Sequence, residues 1–273
     1  MSSIPQNRLK KRLKKVCKSL LILYIMIGAS LYFLQEKLLF FPTELDQEYQ
    51  YQFEQPFEEI FLKPSEDVSI NAVHFKVKNP KGVIIYFHGN AGDLSRWGTI
   101  SEYFVTKDYD VFIMDYRTYG KSTGELNEQA FYDDAQFCYD HLLKSYLESD
   151  ITVYGRSLGT GISTFLASKN KPKQLILETP YYSVLDVAKQ RFPILPVSSL
   201  LQYTFPSNEF IVDVICPIIM FHGTYDGVVP YSSAEKLQEV APNDKTTFIT
   251  IEGGGHNNLI DFELYRNGID NIL

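Results

Sequence analysis

The stretch Ile151-Thr152-Val153-Tyr154-Gly155-Arg156-Ser157-Leu158-Gly159-Thr160-Gly161 constrains this chain more than any other. A short β-branched and aromatic run enters a Gly-x-Ser-x-Gly pentapeptide, and a helix-compatible segment leaves it. That order of strand, sharp turn and helix is what a nucleophile elbow requires. The turn is so tight that side chains at 155 and 159 would collide with neighbouring backbone, so both positions call for glycine. Held this way, Ser157 presents its hydroxyl at the end of a strand, with the N-terminus of the next helix behind it. The bland alternative is a Gly-Ser loop, and only the rest of the chain can decide between the two.

Short apolar runs recur at 83–87, 111–114, 151–154, 175–177, 218–221 and 247–251. They lack alternation, as expected of strands covered on both faces. Longer amphipathic stretches around 95–106, 127–146, 158–169, 232–240 and 258–272 predict helices between them. Such alternation predicts an α/β class with a mostly parallel, doubly wound sheet. At 273 residues and 45% hydrophobic, the chain can bury one large core and carry an appendage.

A serine hydroxyl needs a base, and the base needs an orienting acid. Two of the five histidines follow Ser157. His222 closes a strand run and reads as structural. His256 follows Gly253-Gly254-Gly255 directly after the last strand run, where a flexible loop can fold the imidazole back over the sheet. The acid is expected after the preceding strand, and Asp226 lies in the turn there. Asp213 precedes that strand, and Glu252 is too close to His256 in sequence. Ser157, Asp226 and His256 thus stand in the order nucleophile, acid, base. Backbone amides must hold the charge that develops on a carbonyl oxygen. One is expected from Leu158; the other from the turn His88-Gly89-Asn90-Ala91-Gly92, with Asn90 the first choice and Ala91 the second. His88 reads as packing beneath that loop.

The N-terminus carries a different signal. Residues 1–18 hold seven bases and no acid, leaving 19 bases against 33 acids in the remainder. An acidic body argues against a nucleic-acid partner. Seventeen residues without formal charge follow, 19–35. As a helix they would span about 25 Å, a little short of a bilayer core, a gap that Lys18 and Lys37 can close by snorkelling. The expected organisation is a basic cytoplasmic tail (1–18), a transmembrane anchor (19–35), a juxtamembrane connector (36–60) and a catalytic domain (61–273). The basic flank places the body on the extracytoplasmic side. A signal peptide cleaved near Gly28-Ala29-Ser30 is the competing reading. Cys17 could be lipidated or apolar filler, and Cys138 and Cys216 read as small buried hydrophobes. No metal-ligand spacing occurs, and the chemistry above needs neither metal nor organic cofactor.

Taken in order, His88-Gly89-Asn90-Ala91-Gly92, Asp115-Tyr116-Arg117-Thr118-Tyr119-Gly120-Lys121-Ser122-Thr123-Gly124, Gly155-Arg156-Ser157-Leu158-Gly159, the run from Cys216-Pro217 to Asp226-Gly227-Val228-Val229-Pro230, and His256 resemble the α/β-hydrolase superfamily of serine hydrolases. The chain is especially similar to its small, single-pass membrane-anchored members. The family usually has Gly where this chain has Thr118, and often Asn where it has Asp93. The resemblance implies an α/β-hydrolase fold and hydrolysis of esters, thioesters or amides, without naming the acyl group. An insertion at 179–215, rich in aromatic and aliphatic residues, falls where this fold places a lid over the serine. Tyr181, Tyr182 and Leu200 are the residues expected to face a small-molecule or lipid acyl substrate there. Two other functions stay open: a serine peptidase or aminopeptidase, for which Asp186 and Glu209 are weak amine-binding candidates, and a membrane-anchored scaffold without turnover.

Overall fold

The computed structural model describes residues 6–273, and the first five residues of the expected basic tail lie outside the described residues. The chain opens with helices α1 (Gln6–Phe33) and α2 (Gln35–Leu39). The long one is continuous through the basic stretch, because Lys, Arg and Leu are all good helix formers. The expected anchor is therefore the C-terminal part of a longer helix. Residues 8–33 are long and apolar enough to cross a membrane, and the side chains from Leu20 to Ile27 are exposed.

Next come β1 (Phe41–Pro42), the hairpin β2 (Phe57–Ser65) and β3 (Val68–Phe75), β4 (Val83–Phe87), β5 (Ala91–Gly92), α3 (Leu94–Val105) and β6 (Asp110–Met114). Then follow α4 (Glu128–Leu142), β7 (Ile151–Arg156), α5 (Leu158–Lys169) and β8 (Gln174–Glu178). Three short helices, α6 (Val184–Arg191), α7 (Val197–Leu200) and α8 (Ser207–Phe210), occupy the insertion. The chain ends with β9 (Ile218–Gly223), α9 (Tyr231–Val240), β10 (Thr246–Ile251) and α10 (Glu263–Ile272).

Eight strands form one sheet in the order β2-β3-β6-β4-β7-β8-β9-β10. Only the pairings of β3 with β2 and β6 are antiparallel; all others are parallel. Alternate residues of each central strand divide between two cores. Ile85, Phe87, Val153 and Leu175 join the side covered by α4 and α5, while Ile84, Tyr86, Tyr154 and Ile176 join the side covered by α3 and α10. Each such buried side chain is worth about 1.5–3 kcal/mol over leaving it in water. Asp93 and Asn127 cap α3 and α4, accepting from the amides of Ser95 and Ala130, for about 1 kcal/mol each.

The order of strands decides where chemistry can happen. The chain leaves β4 to one side for β6 and returns to the other side for β7. At such a switch point the turns leaving two adjacent strands diverge and open a crevice at their carboxyl ends. Those two turns carry Asn90 and Ser157.

The segment 36–60 is more than a connector. Phe41 and Pro42 pair in parallel with Ala91 and Gly92, and the Tyr51 hydroxyl donates to Asn71 Oδ1 at 2.8 Å. The first sheet strand already begins at Phe57. Its mixed pattern of half-buried and exposed residues belongs to an edge strand, which short apolar runs do not reveal.

Candidate active site

Ser157 sits between β7 and α5 with φ 52° and ψ −118°, a left-handed conformation for a non-glycine residue that costs on the order of 1–3 kcal/mol. The flanking glycines make the bend possible. A Cβ on Gly155 would stand 2.5 Å from the Gly159 carbonyl oxygen, and one on Gly159 only 2.1 Å from that of Phe87.

Three residues that are far apart in sequence meet above this turn. Ser157 Oγ lies 2.8 Å from His256 Nε2, and His256 Nδ1 lies 2.7 Å from Asp226 Oδ2. With a carboxylate facing Nδ1, that nitrogen carries the proton and donates it, leaving Nε2 to accept from the serine hydroxyl. The Asp226 side chain is fully buried and that of His256 nearly so. Asp226 Oδ1 accepts the amides of Val228 and Val229 at 2.8 and 2.9 Å. Burial alone would raise this carboxyl, but hydrogen bonds from His222 and His256 and from the Val228 amide outweigh it and hold the group well below the usual carboxylate range. His222 Nε2, 3.3 Å from Asp226 Oδ2, was legible in the sequence only as a structural residue. It is wholly buried and also faces the Val229 carbonyl at 3.1 Å, so it fixes the acid from behind.

The glycine run ahead of His256 lets its loop close down on β9. A Cβ on Gly223 would come within 2.2 Å of the Gly254 carbonyl oxygen, and Gly253 has φ 76°. Tyr225 and Gly254 are joined by a backbone hydrogen bond of 2.8 Å. The acid turn and the base loop are therefore one packed unit.

Leu158 is the first residue of α5, where amides lack intrahelical partners and the helix dipole is positive. Asn90 lies across the crevice, and both residues line the same cavity as Ser157. Ala91, the second choice, belongs to β5 and pairs with Phe41. Two aromatic hydroxyls, which nothing in the sequence pattern marks for the role, hold the Asn90 turn from below. Tyr119 donates to Asn90 O at 2.7 Å, and Tyr116 donates to His88 O at 2.7 Å. His88 is fully buried, with Nε2 3.3 Å from Asp115 Oδ1 and its ring against Trp97. From the side, the Asn90 amide group donates to the Leu39 carbonyl at the end of α2.

The cavity over Ser157 has a volume of about 190 Å³. Its walls are apolar: Leu39 and Phe40 from the N-terminal segment, Val184 and Val187 from α6, Phe205, and Val228 and Val229 beside the acid. Tyr181 lines it and donates to the Leu158 carbonyl at 3.0 Å, bracing the elbow helix. Tyr182 instead lines a separate surface cavity with Asp186 and Glu209, and Leu200 lines a groove next to α2. The residues expected to face substrate from the insertion are therefore divided among three places. Among the described residues, no cluster of three or more His, Cys, Asp or Glu is arranged to hold a metal ion.

Comparison with known proteins follows the same lines. A family model described as serine aminopeptidase, S33, matches residues 78–211. An uncharacterised protein, R595, of Acanthamoeba polyphaga mimivirus is 31% identical over 225 residues, covering 73% of this chain and 75% of that one. The lysophosphatidylserine lipase ABHD12 of Danio rerio is 30% identical over 188 residues, 60% of this chain and 48% of that one. In fold, the Pyrococcus furiosus esterase Pf2001 superposes with a TM-score of 0.65 at 16% identity, covering 85% of this chain and 98% of its own. Sheet order, elbow and relatives agree: the chain belongs to the α/β-hydrolase superfamily.

Proposed function

We propose that this protein is a serine hydrolase of carboxylic ester or thioester bonds in apolar acyl substrates, tethered to a membrane by α1. The observation that carries the reading is the hydrogen-bonded line Ser157–His256–Asp226, whose serine opens into an apolar cavity. Ser157 Oγ attacks the acyl carbonyl carbon while His256 Nε2 takes its proton. The amides of Leu158 and Asn90 receive the oxyanion. His256 returns the proton to the leaving alcohol or thiol, and an acyl-enzyme remains on Ser157. A water deprotonated by His256 then releases the acid and restores the serine. Asp226 stays ionised and holds the imidazole in one tautomer and orientation.

The aminopeptidase description attached to the matching family model favours a second reading. A peptidase that recognises a free amine needs a carboxylate near the serine. Among the described residues, the cavity holds one charged side chain, Arg191. The candidate Asp186 faces elsewhere and pairs with Lys236 at 2.7 Å. An apolar cavity without an acid fits an acyl chain better than an amine.

Membrane tethering is supported by the exposed apolar length of α1, and the seven bases before residue 19 favour an extracytoplasmic domain by the positive-inside rule. Turnover of a panel of acyl esters, acyl thioesters, lysolipids and aminoacyl amides by the full chain tests the substrate class. Acyl esters or thioesters are expected to lead, and Ser157→Ala to abolish turnover. Preference for aminoacyl amides would favour the peptidase, and no turnover of any class by the native chain would favour a scaffold.

A further inference from the structure

A second apolar feature lies beside the catalytic cavity. A groove of about 260 Å³ runs between the N-terminal helices and the insertion, walled by Leu31 and Leu38 on one side and Phe192, Leu195 and Leu200 on the other. Leu39 lines both this groove and the cavity over Ser157. Leu39, at the end of α2, is thus the residue the two spaces share, and they follow one another from Ser157 toward α1.

The insertion is fastened to the N-terminal helices by polar bonds. Gln35 Nε2 donates to the Leu200 carbonyl at 3.2 Å, and Gln35 Oε1 accepts the Gln202 amide at 2.8 Å. The Tyr203 hydroxyl donates to Glu36 Oε1 at 2.7 Å. Above these bonds the tip 192–195 continues along α1. The Tyr24 hydroxyl is 3.5 Å from the Ile194 carbonyl, and Gly28 faces the Leu200 side chain. Tyr24 precedes Leu31 by seven residues, about 10 Å along a helix. Yet Ile194 is 86% exposed and Phe192 48%, on a tip without a charged residue between 192 and 196. An apolar tip lying alongside the apolar part of a membrane helix shares that helix's solvent. In lipid its exposure carries no hydrophobic cost.

The geometry points to a lipid access route, an inference that rests on the proposed acyl-hydrolase reading. The tip 192–195 inserts into the same leaflet as the C-terminal part of α1, and the groove takes the acyl chain of a membrane lipid sideways from that leaflet past Leu39 to Ser157. The ester carbonyl lies between Ser157 and the amides of Leu158 and Asn90, while the distal methylenes occupy the groove. Each further methylene buried there strengthens binding about four-fold. Chain-length preference therefore resides in the groove, outside the catalytic cavity.

The test uses the full chain in bilayer vesicles and a hexadecyl fluorophosphonate with a photoreactive diazirine at its distal end. The expected result is phosphonylation of Ser157 with photo-adducts in peptides covering 31–39 or 188–201. A phosphonylated Ser157 with photo-adducts elsewhere in the chain would overturn the route and leave the hydrolase reading standing. Chain-to-chain adducts would mean that a second copy covers the groove, and would overturn it too. Failure to label Ser157 at all would remove the hydrolase reading and the route with it. A kinetic arm needs no crosslink. In Leu39→Trp and Leu195→Trp, the ratio of kcat/KM for a hexadecanoyl ester to that for a butanoyl ester is expected to fall more than tenfold. An unchanged ratio in both folded variants would overturn the route.

Discussion

Gly159→Ala is the smallest change that should separate the elbow from the Asn90 turn. The new methyl carbon would stand 2.1 Å from the Phe87 carbonyl oxygen, 2.6 Å from its carbon and 2.9 Å from the His88 carbonyl oxygen. All three are backbone atoms, so no rotamer change relieves the overlap. Restoring an ordinary contact of 3.4 Å from 2.1 Å requires the two chains to part by more than 1 Å. β4 is paired with both β6 and β7 from Val83 to Tyr86, but Phe87 is paired with β7 alone, so the movement falls on the strand end and the turn that runs from it to Asn90. Displacing a catalytic group by 1 Å costs about 10²-fold in rate, and losing one oxyanion donor costs about 10²–10³-fold. The overpacking itself should cost about 1–3 kcal/mol of stability. The assay is kcat and KM on a short acyl ester, with urea denaturation of the same preparation. The expected outcome is a fall in kcat of at least a hundredfold with KM little changed. Gly227→Ala is the comparison, because a Cβ there meets nothing within 4 Å and should leave both quantities within threefold. A Gly159→Ala protein with native kcat and native stability would refute the argument.

Three further outcomes follow from buried groups and strained backbone. Asp226→Asn should lower kcat about 10⁴-fold, because an amide no longer selects the Nδ1-protonated imidazole, and a pH–rate profile of the variant checks it. His74 is buried with its Nε2 3.2 Å from the Tyr146 hydroxyl; burial first, then Lys76, lower its pKa to about 4. The unfolded chain binds a proton there that the native one refuses, so stability should be lost as pH falls from about 6.5 to 4, by about 3 kcal/mol in total. In His74→Gln that part of the acid sensitivity should vanish from urea midpoints measured across this range. Thr118 has φ 72°, which a β-branched residue adopts at a cost, so Thr118→Gly should gain about 1 kcal/mol in the same assay.

Much of this architecture could be read from spacing. The central strands are buried on both faces, so their apolar runs stood out, and the turns that follow them carry Asn90, Ser157, Asp226 and His256. What escaped reading depends on contacts between distant segments. β2 lies at the sheet edge, where half its residues meet water and the apolar run is broken by Glu58 and Glu59. The role of Leu39 as a wall of the cavity and partner of Asn90 exists only because β1 pairs with β5. His222 could be seen as structural, but its contact with Asp226 arises from the turn that brings residue 226 back over the strand end. Tyr181 and Tyr182 are neighbours in sequence and face different cavities, a distinction set by packing on α5 that no apolar count contains. Thr118 carried a readable signal, since the family's usual glycine marks a position of positive φ.

In the proposed reaction Ser157 is a nucleophile activated by His256. Incubation of the full chain with a fluorophosphonate, followed by peptide mapping, measures it directly. A single adduct is expected on Ser157, absent in Ser157→Ala and slowed at least a thousandfold in His256→Ala. An adduct on another residue, or one on Ser157 that forms equally fast without His256, would contradict it.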